Sequence, residues 1–187
     1  MRTPKVIDSK VVFGPCRLSY THVFNKFNPS GGSDADGKYM TNILIPKDEK
    51  ETLKAIREAI ETAKQQAILS KWGGKEPKKL DLPLRDGDEK EKDIDDYQGH
   101  YYLNAKSNTR PGVVDKDLQP IVDEEEVYSG VWAYISVTFY GYDTSGNRGV
   151  ACGLNNIKKF KDDDRLGGRV SAEADFADFD DEDDDDL

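Results

Sequence analysis

The stretch Val127–Tyr142, VYSGVWAYISVTFYGY, alternates with a period of two over its whole length. Neighbouring side chains on a strand point to opposite faces. The odd positions, Val127, Ser129, Val131, Ala133, Ile135, Val137, Phe139 and Gly141, are apolar or small and suit a core. Of the eight even positions, Tyr128, Trp132, Tyr134, Tyr140 and Tyr142 are aromatic with a polar edge, and Gly130, Ser136 and Thr138 are small or hydroxylic. One long strand with a core on one side and wet rings on the other is the expectation. Rings displayed on a sheet surface stack unpaired bases. Tyr and Trp also favour strands for packing reasons alone. The regularity of the whole set favours the functional reading.

The rest of the chain must supply partners for that strand. Lys5–Leu18 reads as a strand, broken or bent at Gly14-Pro15. Thr21–Lys38 carries NPSGGSDADG and reads as a long loop, whose Phe24 and Phe27 either tuck onto the body or meet a ligand. Tyr39–Ile45 is apolar on both faces and reads as a buried strand ended by Pro46. A helix is expected next, with Asp48 as N-cap, Glu51 at the capping-box position, and an apolar stripe of Leu53, Ile56, Ile60, Ala63 and Ala67. Trp72-Gly73-Gly74 ends it, and DGDEKEKDIDD reads as a charged loop. Tyr101–Ser107 repeats the split, with Tyr101, Leu103 and Ala105 on one face and His100, Tyr102, Asn104 and Lys106 on the other. DTSGNRG is a hairpin loop, and Val150–Leu154 the returning strand. Five main strands with one principal helix between the second and third predict a mainly β fold, a five-stranded Greek-key barrel of the OB type. An open sandwich is the alternative.

Charge is segregated along the chain. Ten of the 37 acidic residues lie in the last fifteen positions, EADFADFDDEDDDDL, leaving 27 acidic against all 27 basic residues in the body. The net charge of −10 therefore belongs to a tail, expected over 171–187 and disordered because it cannot bury a core. Residues 1–170 are expected to form one domain. The cations of that domain include Arg85, Lys106, Arg110, Arg148, Lys158 and Lys159, in or beside segments that carry Tyr102, Trp132, Tyr134, Tyr140 and Tyr142. Cations interleaved with rings make a groove that tracks a single strand; scattered solubilising lysines are the bland alternative. The tail residues Asp175, Phe176, Asp178, Phe179, Asp180, Asp181, Glu182, Asp183, Asp184, Asp185, Asp186 and Leu187 resemble a nucleic acid electrostatically, with the two Phe rings standing in for bases. Competition between tail and nucleic acid for one groove is the expected consequence.

Enzymatic chemistry finds little footing. His22 and His100 are the only histidines and sit in no nucleophile or metal motif. GGSDADG and GNRGVACG lack the GK[ST] ending of a phosphate loop. Cys16 and Cys152 form no metal motif, MRTPKVIDSK has no apolar core of a signal peptide, and no run approaches a membrane span. The expectation is a non-enzymatic protein of a reducing cytoplasm, with no cofactor, no metal and no membrane partner.

Four motifs carry a resemblance: LPLRDGD (82–88), NAKSNTRPGVVD (104–115), VYSGVWAYISVTFYGYD (127–143) and GNRGVACGLNNIKKF (146–160). With them the chain resembles the OB-fold single-stranded-DNA-binding proteins of bacteriophages, a family long catalogued as a domain of unknown function. The resemblance covers most of the chain. Members often carry Gln where this chain has Lys158 after Asn-Asn-Ile. The resemblance implies coating of single strands without sequence preference in phage replication and recombination, in the host cytoplasm. The tail would recruit replication or recombination proteins, with the body a monomer or homodimer. The alternative class is an acidic interaction protein, a DNA mimic or a chaperone for basic partners.

Overall fold

The computed structural model describes residues 1–89 and 95–167. The acidic tail expected over 171–187, with its candidate residues from Asp175 to Leu187, and positions 90–94 of the charged loop lie outside the described residues. The elements in order are β1 (Lys5–Ile7), β2 (Lys10–Phe27), β3 (Lys38–Pro46), α1 (Lys50–Ser70), β4 (Leu84–Asp86), β5 (His100–Ser107), β6 (Gly112–Val114), β7 (Trp132–Thr144) and β8 (Asn147–Lys161).

Five of these strands close on themselves. β5, β3, β2, β7 and β8 pair antiparallel in that spatial order, and β8 meets β5 in parallel through Ala105 opposite Cys152 and Lys106 opposite Gly153. This is the closed barrel of the OB type, not the open sandwich. Closure requires strongly bent strands, and β2 bends where its register shifts between Phe13 and Cys16 and again between Ser19 and His22. β1, β4 and β6 extend the sheet around the rim as short additional strands.

The parity of the key strand holds. Val131, Ala133, Ile135, Val137 and Phe139 are buried, while Trp132, Tyr134, Thr138 and Tyr142 are half-buried and Tyr140 is exposed. The inward set meets Val11, Phe13, Ile43, Ile45, Leu103, Leu154 and Ile157 in one core. The stripe on α1 is buried as expected, and packs against β7 and β2. Two bonds pin the end of the helix: the Trp72 indole N–H donates to Tyr142 O at 3.1 Å, and Lys71 Nζ donates to Gly141 O at 2.7 Å. Cys16 and Cys152 are free and buried, and burial pushes both thiols up.

Several boundaries differ from the sequence reading. β2 runs on to Phe27, so Thr21–Phe27 is strand, not loop. Its Val23 and Phe24 are buried, Phe27 stacks on His22 at 4.1 Å, and turn residues begin only at Asn28. The N-terminal strand breaks at Asp8-Ser9 as well as bending beside Gly14-Pro15. Helix α1 has Glu49, not Asp48, at its N-cap, with no side-chain cap. The Asp48 carbonyl instead accepts from Lys50 N at 2.9 Å. Val127–Val131 is not part of β7. Gly130 sits at φ +119°, and a side chain there would strike Asp164 O, so the chain turns before the strand begins. The returning strand is longer than expected, because Asn155–Lys161 continues the ladder opposite Trp132–Ser136.

Inward and outward neighbours on β7 should differ in stability. Phe139→Ala should cost about 3–5 kcal/mol, whereas Tyr140→Ala should cost well under half of that. Urea denaturation of the two variants measures both.

Candidate nucleic-acid interface

Barrel closure places β8 between β5 and β7 at the site. The outward positions of β8 there are Ala151, opposite Tyr140, and Gly153, opposite Thr138 and beside Lys106. Side chains this small leave a trough. Lys106 of β5, with Lys38 of β3 and Arg85 of β4, stands on one wall and the rings of β7 on the other, and the Tyr140 ring leans over Gly153. The resulting groove, about 510 Å³, is lined by Lys38, Arg85, Asn104, Lys106, Tyr140 and Tyr142, among others. Four of the residues predicted from sequence, Arg85, Lys106, Tyr140 and Tyr142, meet here. Among the described residues Lys38 and Lys106 make no ion pair.

Local chemistry explains the wall that carries Arg85. In LPLRDGD the two outer carboxylates are structural: Lys47 Nζ reaches Asp86 at 2.7 Å and Asp88 at 2.6 Å, and Asp88 also accepts from Gly99 N at 2.8 Å. These bonds depress both carboxyls and push the Lys47 ammonium up. They hold β4 against β5, with Arg85 opposite Tyr102. Tyr102 itself packs edge-to-face on the buried Tyr97 at 5.2 Å and does not line the groove; it lies in a neighbouring hollow with Leu84, Arg85 and Tyr101. Arg148 flanks the other end and is held by Asp143 at 2.8 Å.

The remaining predicted residues lie elsewhere. Tyr134 and Lys158 share a second, mostly apolar hollow of about 370 Å³ with Arg2, Lys5, Val12 and Ile157. There Arg2 lies 5.4 Å and Lys158 6.0 Å from the Tyr134 ring centroid. Between the two sites on β7, Ser136 and Thr138 are bridged by the Asn155 amide, at 2.9 Å to Thr138 Oγ1. Arg110 stands on the exposed loop after β5, 5.5 Å over Phe24. Lys159 is not on the face of Lys158: it lies opposite Ala133, ion-paired to Glu126 at 2.6 Å and Asp162 at 2.8 Å, with 12% of its side chain exposed.

Trp132 is committed within the protein. Its indole N–H donates to Asp163 Oδ2 at 2.7 Å, and Lys161 lies 5.1 Å over its ring. Asp163 belongs to a strap, Asp162–Leu166, across the end of the barrel. Arg17 donates to Asp164 O at 2.6 Å, Tyr128 Oη accepts from Asp163 N at 3.0 Å, and Leu166 N donates to Ser129 O at 3.0 Å. The bond from Trp132 holds the Asp163 carboxyl low, and the bond from Lys159 does the same for Asp162.

Sequence reasoning missed Lys38, Arg2 and Lys5 as contributors. Asn104 was legible, since it shares its face with Lys106 by parity. Lys38 and Arg2 reach their sites only through the fold.

A barrel with a trough of cations and tyrosines between its walls belongs to the oligonucleotide-binding OB class. The family model described as Enterobacter phage Enc34, ssDNA-binding protein, matches residues 9–187, and the chain belongs to that family. It is 33% identical over 181 residues to putative protein p50 of Acyrthosiphon pisum secondary endosymbiont phage 1, covering 91% of this chain and 94% of the relative. Its fold is similar to that of the single-stranded-DNA-binding protein of bacteriophage Enc34 in complex with ssDNA, with TM-score 0.74 and 23% identity over 87% of this chain and 96% of that one. The fold of gp2.5, a single-stranded-DNA-binding protein encoded by bacteriophage T7, is also similar, with TM-score 0.56 and 17% identity over 93% and 97%.

The strap should respond to acid. Asp162 and Asp163 have carboxyls lowered from the ordinary 3.8, so their contribution is complete above that pH and is lost as pH falls through the lowered values. In a Trp72→Phe background, Trp132 emission should shift only below about pH 3.8. Asp163→Asn should show the shifted emission already at neutral pH. An unchanged spectrum in that variant would mean the indole does not depend on the strap.

Proposed function

We propose that this chain is a phage protein that coats single-stranded DNA without sequence preference, and that it is not an enzyme. The observation that carries the proposal is the trough over Ala151 and Gly153, with Lys38, Arg85 and Lys106 facing Tyr140 and Tyr142. The name and the ligand of the Enc34 protein support it. Small side chains on the floor let a strand lie close to the sheet. Tyrosine faces accept any base, and lysines follow a backbone without reading its sequence. The described elements offer no recognition helix for a major groove, so duplex should bind less well.

The same proposal extends to the tail. A neutral body bearing a cationic trough, tethered to ten acidic residues in the last fifteen, sets up competition between tail and DNA phosphate. The released tail would then be available to replication or recombination proteins in the host cytoplasm, with the body acting as monomer or homodimer. The alternative reading, an acidic DNA mimic or chaperone for basic partners, rests on the tail alone and leaves the trough without a purpose.

Titration of labelled oligo(dT) with protein ending at Ser171 separates the two. The single-strand reading expects tight binding, tighter than for the full chain at low salt. On that background Tyr140→Ala should weaken binding by about 1–3 kcal/mol. Lys106→Ala should flatten the slope of log K against log salt by about 0.7. Absence of binding by the truncated chain would favour the acidic interaction protein.

A further inference from the structure

We propose that Asp81 is a built-in stand-in for DNA phosphate: its carboxylate holds Arg85 and Tyr142 in the empty groove, and a backbone phosphate displaces it when a strand binds. This inference rests on the single-strand reading above. Asp81 lines the groove beside three cations, Lys38, Arg85 and Lys106, and is the one acidic residue among its described lining residues.

Its placement is fixed by backbone. Asp81 N donates to Arg148 O at 3.0 Å, and its carbonyl accepts from Val150 N at 2.9 Å. Asp81 thus forms an isolated bridge with Gly149 on β8. A side chain at Gly149 would strike both the Asp81 carbonyl and the Tyr142 hydroxyl, so glycine is what lets these groups converge. The Asp81 side chain then points at two groove residues. Oδ1 lies 3.3 Å from Arg85 Nη2, and Oδ2 accepts from the Tyr142 hydroxyl at 3.2 Å.

The strength of these contacts suits displacement. Charge-assisted bonds normally lie at about 2.7–2.9 Å, as Lys47 with Asp86 and Arg148 with Asp143 do here at 2.7 and 2.8 Å. The Arg85–Asp81 pair is longer, and its side chains are 55% and 60% exposed. Such a pair holds little free energy. It can orient Arg85 over the trough without competing strongly against a phosphate that Lys38 and Lys106 also attract. Burial, then the Asp81 charge, pushes the Tyr142 phenol up, which keeps it a neutral donor that can turn from carboxylate to phosphate.

The test is oligo(dT) titration across a salt series with the full chain, its Asp81→Asn variant, Arg85→Ala and the double variant. Asn keeps the backbone bonds and the shape. Asp81→Asn should bind roughly two- to fivefold more tightly at low salt. Its log K against log salt should be steeper by up to about 0.7, because the groove gains one net positive charge. Arg85→Ala should cost more on the Asp81→Asn background than on the wild type. Binding by the wild type together with equal or weaker binding by Asp81→Asn would overturn the proposal and make Asp81 a residue that positions Arg85 for DNA. No binding by the wild type would overturn the single-strand reading, and this proposal with it.

Discussion

Two parallel register pairs, Ala105 with Cys152 and Lys106 with Gly153, close the barrel. The site depends on that closure. Without it, β5 and β7 would be held apart in the sheet order by β3 and β2. With it, only β8 intervenes, and its outward Ala151 and Gly153 leave the space between a lysine wall and a tyrosine wall unfilled. The inward partner Cys152 is buried in the core, so the pairing that makes the trough is also a core contact. Packing and function are therefore coupled at one strand: what stabilises the barrel also sets the width of the groove.

The electrostatics sort the cations into two groups. Lys47, Lys159 and Arg148 are bound to carboxylates at 2.6–2.8 Å and hold the structure together. Lys38 and Lys106 make no such pair among the described residues and face the groove. Arg85 stands between the groups, loosely held by Asp81. A formally neutral body can thus present a positive trough, because its anions are spent elsewhere, on the Asp86–Asp88 corner and the Asp162–Asp164 strap.

Much of this was legible in the sequence, for a definable reason. The period of two from Val131 to Tyr142 is dictated by burial on one face, so parity identified both the core and the outward rings. The same logic placed Tyr102, Asn104 and Lys106 together. Legibility failed where tertiary contacts override local pattern. Gly130 turns the chain under Asp164, which removes Tyr128 from the strand. Lys158 and Lys159 are a different case: as neighbours on β8, opposite Tyr134 and Ala133, they face opposite sides by plain alternation, although composition alone treats them alike. Trp132 reads as one more ring in the ladder, but the strap that captures its indole comes from some thirty residues away. The ladder is thereby divided. Tyr140 and Tyr142 sit in the trough, Tyr134 in a second hollow, and Trp132 at the anchored end.

The central claim is that the strand runs through the trough between β5 and β7. Amide chemical-shift mapping during titration with oligo(dT) tests it most directly. The account predicts that the largest perturbations fall on Lys38, Asn104, Lys106, Tyr140–Thr144 and Val150–Gly153. Perturbations centred instead on helix α1, or on Tyr20, Tyr128 and the Asp162–Leu166 strap with the trough unmoved, would contradict it.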